Sequence, residues 1–363
     1  MPERNMPTVK EALQQASSLL MRALAERTGN ARPAEAEPAG GGADGRPPAD
    51  GEAAREARAE AEMLLMHVLG WDKTRLLLDG DAPFPERLLG RWQEAVARRA
   101  AGEPVQYIAG VQAFCGLELE VTPAVLIPRP ETEILVEAVA KRVRALFGAA
   151  GASGAAGSGE AGGEAAFPAG TGHGRPGTGG ARRPLLADIG TGSGAIAIAL
   201  ARRLPGWRIA ACDVSPDALE VARRNWARIS AAEEREAAGR AERLLFLQGD
   251  FLEPLIDRGE RVDVLVSNPP YVPSGDIPRL QREVRDHEPR LALDGGPDGL
   301  AAYRRIAGQI GRLPGIPRLV AFEVGFGQAA SVAALLAETG WWPHLDIVRD
   351  YAGIERHVLA WRA

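Results

Sequence analysis

The chain has 363 residues, 45% apolar and 25% charged, with a formal net charge of −5. That length holds two or three domains and at least one sizeable core, at the composition of an ordinary globular protein. The acidic balance argues against a dedicated duplex-binding protein, whose affinity rests on neutralising phosphates, and no segment approaches the roughly 18 uncharged apolar residues of a membrane span.

Three segments, Val9–Ala25, Glu56–Leu69 and Leu88–Ala100, carry apolar residues at helical spacing. They predict a small helical N-terminal domain over residues 1–110. Residues 33–48, "PAEAEPAGGGADGRPP", offer little to pack, and a disordered insert is expected over 28–50. Next comes "FCGLELEVTPAVLIPRPETEILVEAVAKRVRAL", whose first part alternates apolar and polar residues as a hairpin does. A hairpin connector is therefore expected over 111–130. Pro128 and Pro130 mark a stiff bend, and a helix follows from Thr132, with Glu131 and Glu133 suited to its first turn. Gly, Ala and Ser dominate 148–182, which reads as a disordered linker inserted in a domain spanning 131–363.

Beyond the linker, strands are predicted at Pro184–Ile189, Arg208–Val214, Leu244–Gln248, Val262–Ser267, Arg318–Val324, Asp346–Arg349 and Arg356–Trp361. Helical stretches fall near Ala195–Leu204, Pro216–Arg228, Gly299–Leu313 and Gln328–Glu338. The alternation predicts an α/β class protein with a seven-stranded, doubly wound sheet. Only a short turn, Asp350 to Glu355, joins the last two strands, so they must run antiparallel. Cys115 and Cys212 show neither disulfide nor zinc spacing, the five histidines show no ligand spacing, and the N-terminus has no apolar leader. A cytoplasmic protein with no metal and no membrane partner is expected.

Two motifs carry chemistry. "LLADIGTGSGAIAIALA" turns from strand to helix through Gly190, Thr191, Gly192, Ser193 and Gly194. Glycines there permit positive φ and close approach of a ligand to the backbone. Asp213 closes the next strand, where a carboxylate accepts hydrogen bonds from ribose hydroxyls. Gly190, Gly192 and Ala195 also satisfy the dinucleotide pattern, so NAD is the competing ligand. Asp188, just before the loop, would repel a pyrophosphate and suit an ammonium group. An antiparallel sheet end also departs from the two-half dinucleotide fold. S-adenosylmethionine, with ribose, adenine and ammonium but no phosphate, fits better. Phe251 is placed to stack on adenine and Asp250 to reach its exocyclic amine, although a core Phe beside a helix-capping Asp explains the same residues.

"VSNPPYVP", Val266 to Pro273, follows the fourth strand at the carboxyl edge of the sheet, where open α/β folds bind ligands. Asn-Pro alone makes a turn. The second proline and the tyrosine ask for more. Prolines fix φ and remove backbone donors, leaving rigid acceptors. The Asn268 side-chain carbonyl and the Pro269 backbone carbonyl suit the two protons of a planar NH₂ group, with Pro270 stiffening the turn and Tyr271 covering the flat face. Positioning and electrostatics then supply most of the rate, with no strong base.

With "VLIPRPETEILVE" (Val125–Glu137), "DVSPDAL" (Asp213–Leu219) and "HEPRLALDGGPDGL" (His287–Leu300), these motifs closely resemble the release-factor glutamine methyltransferases, known as PrmC or HemK. The resemblance covers the chain outside its low-complexity inserts. It implies a helical substrate-recognition domain before a Rossmann-like methyltransferase domain. S-adenosylmethionine would be held by Gly190 to Gly194, Asp213, Phe251 and Asn268. The substrate would be the Gly-Gly-Gln glutamine of class-1 peptide chain release factors, held by Asn268 to Tyr271. Many relatives have tryptophan where Phe251 stands. Arg129 and Glu131 either wall the substrate pocket or are solvated charges at a helix entry. The competing readings are an N6-adenine methyltransferase of DNA or RNA, against which stands the missing basic, aromatic-bearing insert after Tyr271, and a release-factor-binding protein without catalysis.

Overall fold

A computed structural model describes residues 6–30, 50–148, 182–233 and 243–363. The first part is helical: α1 (Val9–Asn30), α2 (Asp50–Leu69), α3 (Lys73–Leu78), α4 (Glu86–Ala101) and α5 (Val105–Ala109). Val9, Leu13, Leu20, Leu64, Leu65, Phe84 and Trp92 bury the facing stripes of these helices in one apolar cluster. Asp72 caps α3 by accepting from the Arg75 N–H, and Gly102 ends α4 in a left-handed conformation. The interval expected as an insert over 28–50 starts and ends in helix, at Asn30 and Asp50. Its interior, 31–49, lies outside the described residues, as does the expected linker from 149 to 181.

A hairpin follows, β1 (Val111–Phe114) with β2 (Leu117–Glu120), turning at Cys115 and Gly116 with φ of 51° and 74°. Positive φ at both positions is the two-residue turn that matches strand twist. Helix α6 (Pro130–Phe147) takes Pro130 as a first-turn residue.

The remaining elements are β3 (Leu185–Ile189), α7 (Ala195–Arg203), β4 (Arg208–Asp213), α8 (Pro216–Glu233), β5 (Leu244–Gln248), α9 (Glu253–Asp257), β6 (Val264–Ser267), α10 (Arg282–His287), α11 (Arg290–Leu293), α12 (Ala301–Ile310), β7 (Leu319–Glu323), α13 (Ala329–Glu338), β8 (His344–Arg349) and β9 (Glu355–Trp361). The sheet runs β5-β4-β3-β6-β7-β9-β8. Its first five strands are parallel, and β9 is antiparallel to both β7 and β8. The α/β class, the seven strands and the antiparallel end agree with the sequence reading. The short elements α3, α5, α9, α10 and α11 were not anticipated, being too brief to show a period.

Both sheet faces are covered. Leu186, Ile209, Val264 and Leu319 point to one apolar cluster with α6 and α7, while Leu185, Ala210, Leu265 and Val320 point to another with α12 and α13. Two-sided burial explains why the parallel strands read as continuous apolar runs. Strand order reverses between β3 and β6, which opens a crevice at their carboxyl ends.

Arg99 ties the helical part to the α/β part. Its side chain is 5% exposed and pairs with Glu60 on α2 at 2.8 Å and Glu283 on α10 at 3.1 Å. Truncating one member of such a cluster strands the other charges in a poorly solvated place. Arg99→Ala should lower stability by about 3 kcal/mol, read as a drop in the urea midpoint.

Candidate active site

A cavity of about 580 Å³ opens at the carboxyl edge of the sheet. The glycine loop, Asp213, Phe251 and Asn268 reach it from β3, β4, β5 and β6, while Val125, Arg129 and Thr132 close it from the connector and α6. Gly190, Gly192 and Gly194 have φ of 71°, 55° and 81°. A Cβ on Gly194 would meet Ile198 Cδ1 at 3.0 Å and Ala222 Cβ at 3.1 Å, so α8 packs against a bare backbone. The Gly190 and Thr191 N–H groups donate to the Cys212 carbonyl at 2.8 and 3.0 Å, which fixes the loop on β4.

Asp188 corrects one expectation. It is fully buried and absent from the cavity wall. Its Oδ2 accepts from the Thr191 hydroxyl at 2.6 Å and the Ala197 N–H at 3.1 Å. It braces the glycine loop instead of facing an ammonium group, and burial pushes its pKa up to about 7. Asp213 does line the cavity. Its two oxygens accept from the Gly192 and Ser215 N–H groups, each at 2.9 Å. With the Val214 N–H as a third backbone donor, the carboxylate still keeps acceptor capacity for a hydroxyl.

Phe251 lines the cavity in a left-handed conformation, φ 50°. A non-glycine residue there stores strain, as binding sites often do. Asp250 also lines the cavity, with its carboxylate paired to Arg305. Arg129 is in the wall and donates to Glu288 Oε1 at 2.6 Å, whereas Glu131 is not in the wall.

Asn268 and Pro270 face the cavity; Pro269 and Tyr271 do not line it. The Tyr271 ring packs into the core cluster of α12 and α13 beside Gly325, where an added Cβ would lie 3.0 Å from its Cδ2. Burial pushes its pKa up to about 12. A ring anchored there holds the turn in place from the core side. The backbone of this turn is clamped. Val272 N–H donates to Leu293 O at 2.9 Å, Gly295 N–H to Val272 O at 2.8 Å, and Gln328 Nε2 to Tyr271 O at 2.9 Å. A Cβ on Gly295 would sit 2.8 Å from the Pro270 carbonyl oxygen.

Thr132 and Glu323 are functional candidates that the sequence reading missed. Thr132 Oγ1 donates to Glu323 Oε2 at 2.7 Å and lies 3.3 Å from Asn268 Nδ2. Glu323 is 3% exposed, with His357 Nε2 3.9 Å from Oε2. Desolvation, with help from the nearby Glu131 charge, raises its pKa to about 7, against the Thr132 and Asn268 side chains and Arg356. The available signal was a lone acidic residue closing the apolar strand "RLVAFE".

The PrmC N-terminal domain family model matches residues 52–110, and the Methyltransferase small domain model matches 181–287. A release factor glutamine methyltransferase of Moorella thermoacetica is 41% identical over 307 residues, spanning 84% of this chain and 91% of the relative. The chain belongs to the release factor glutamine methyltransferase family. Within that family, the Geobacter sulfurreducens enzyme of the same name is 38% identical over 83% of this chain and 88% of its own length. The Bacillus subtilis enzyme is 34% identical over 85% and 92%.

Two outcomes follow from this geometry. Gly295→Ala should push the Pro270–Tyr271 backbone aside and lower methyl-transfer kcat by about 100-fold, while binding of S-adenosylhomocysteine, read by calorimetry, stays within a few-fold. Glu323 has a folded pKa above its unfolded value, so the folded chain keeps the proton longer. The stability this contributes is complete below pH ~4.3 and lost as pH rises through about 7. Melting curves from pH 5 to 8 should show Glu323→Gln losing less Tm than the wild type.

Proposed function

We infer that this chain transfers a methyl group from S-adenosylmethionine to the side-chain amide nitrogen (N5) of the glutamine in the Gly-Gly-Gln loop of class-1 peptide chain release factors. The observation that carries this is one continuous cavity joining the glycine loop and Asp213 to the Asn268 amide, in a chain of this family. The cavity residues fit S-adenosylmethionine. Positive-φ glycines allow the close approach, Asp213 keeps lone pairs for ribose hydroxyls, and Phe251 offers an apolar wall. When bound, it supplies an electrophilic methyl group.

The protein's own residues position the acceptor. Asn268 Oδ1 and the Pro269 carbonyl take the two N–H protons of the substrate amide. That fixes the nitrogen and raises its electron density. A planar amide nitrogen is a poor nucleophile, so orientation and fixed dipoles lower the barrier. The methylated nitrogen is strongly acidic and releases its proton to water without a dedicated base. Arg129, half-exposed at the cavity wall, borders the approach of the factor's loop.

The helical part is the natural recognition unit, since residues 52–110 match the family's own N-terminal model. Both cysteines are free thiols, which suits a reducing cytosol where release factors act. Among the described residues no helix is long and apolar enough to cross a membrane.

Methyl-labelled S-adenosylmethionine and a purified class-1 release factor test the assignment. Label should appear on the Gly-Gly-Gln glutamine and vanish when that glutamine is replaced. Asn268→Ala should slow transfer by about 10²–10³-fold, the cost of removing one preorganised polar contact. An unlabelled factor alongside labelled DNA or RNA would overturn the substrate.

A further inference from the structure

We propose that Thr132 and Glu323 are positioning residues that lock the Asn268 side-chain amide with its carbonyl oxygen toward the cavity. This rests on the reading of Asn268 as the grip on the substrate NH₂. The two ends of an asparagine amide are nearly equal in size, so shape does not choose between them; the hydrogen-bond network does. If the amide turned over, Nδ2 would meet the substrate NH₂ donor to donor, and Oδ1 would face Thr132 Oγ1 lone pair to lone pair. Grip and clash differ only by that half-turn.

The network sets the direction. Ionised Glu323 is acceptor-only. The single Thr132 hydroxyl proton therefore goes to Glu323 Oε2, 2.7 Å away. Thr132 Oγ1 then offers Asn268 only lone pairs, and the group 3.3 Å from it must be a donor, the Nδ2 end. The three residues come from α6, the turn after β6, and β7, with Thr132 and Glu323 separated by 191 positions. Glu323 cannot swing away. It is buried, its backbone carbonyl accepts from the Tyr303 hydroxyl at 2.8 Å, and β9 places His357 beside it. The charges that face it are Glu131 from α6 and Arg356 from β9. Because Thr132 lies in the first turn of α6, the lock also ties the cavity's far wall to the Asn268 turn.

Protonation of Glu323 would remove the polarity. A protonated carboxyl can donate to Thr132, which frees the hydroxyl proton to point at Asn268 and favours the reversed amide. The wild-type rate should therefore fall as pH drops below about 7, following the raised pKa of the buried carboxyl. Glu323→Gln has no titrating proton and should lack that limb.

The test uses the full chain, with methylation of a purified release factor, affinity for S-adenosylhomocysteine, and amide NMR. The sequence has only four asparagines, Asn5, Asn30, Asn225 and Asn268, so ¹⁵N-asparagine labelling gives few side-chain NH₂ signals to assign. The Asn268 NH₂ pair should be protected from exchange in the wild type and unprotected in Thr132→Val. Thr132→Val should lose about 10- to 100-fold in kcat, with S-adenosylhomocysteine affinity within about twofold, and Thr132→Ser should restore both protection and rate. Unchanged NH₂ protection and kcat in Thr132→Val would overturn the lock. So would a loss of kcat that tracks loss of S-adenosylhomocysteine binding and is not rescued by serine. Should the wild type leave the factor unmethylated while Thr132→Val still frees the Asn268 NH₂, the substrate assignment fails and the lock stands.

Discussion

An amide nitrogen shares its lone pair with the neighbouring carbonyl, and the role proposed for Asn268 answers to that constraint. No base of ordinary strength deprotonates such a nitrogen near neutral pH. What a protein can do is hold it with acceptors that do not move. The turn after β6 is built for stillness. Prolines stiffen it, Gly295 lies against the Pro270 carbonyl with no room for a Cβ, Gln328 holds the Tyr271 carbonyl, and the Tyr271 ring packs against the core cluster. The oddity of two prolines and a tyrosine is therefore two devices. Asn268 and Pro270 face the cavity, and the tyrosine anchors the turn from behind.

The same economy shapes the other half of the cavity. The reversal of strand order between β3 and β6 opens the crevice, and glycines with positive φ let a ligand lie against the backbone. Two carboxylates hold these parts in place from inside the protein. Asp188 braces the glycine loop and Glu323 sits beneath Asn268, and burial raises both pKa values to about 7. Their ionised forms cost stability near neutral pH, and Phe251 adds backbone strain at φ 50°. Rigidity at the site is thus obtained at the expense of folding free energy, the trade expected where geometry matters most.

Much of this was legible in the sequence because it is local. Buried parallel strands read as apolar runs, the glycine loop sits between strand and helix, and the short Asp350–Glu355 link forced an antiparallel end. Asn268, Asp213 and Phe251, singled out by their places at strand ends, do line the cavity. The errors have one cause: sequence position does not say where a side chain points. Asp188 precedes the loop yet turns inward to Thr191 and Ala197. The Thr132–Glu323 pair was invisible because only the packing of α6 on β7 brings the two together. Length hid α3, α5 and α9 to α11, since a single turn of helix shows no period.

The central claim is that Asn268 presents a carbonyl oxygen to the amide nitrogen of a glutamine. A crystal structure of the chain with S-adenosylhomocysteine and a Gly-Gly-Gln peptide measures it directly. The account predicts the glutamine amide nitrogen within hydrogen-bond distance of both Asn268 Oδ1 and the Pro269 carbonyl, with Asn268 Nδ2 still on Thr132. A glutamine nitrogen bound away from both oxygens, or facing Nδ2, would contradict it.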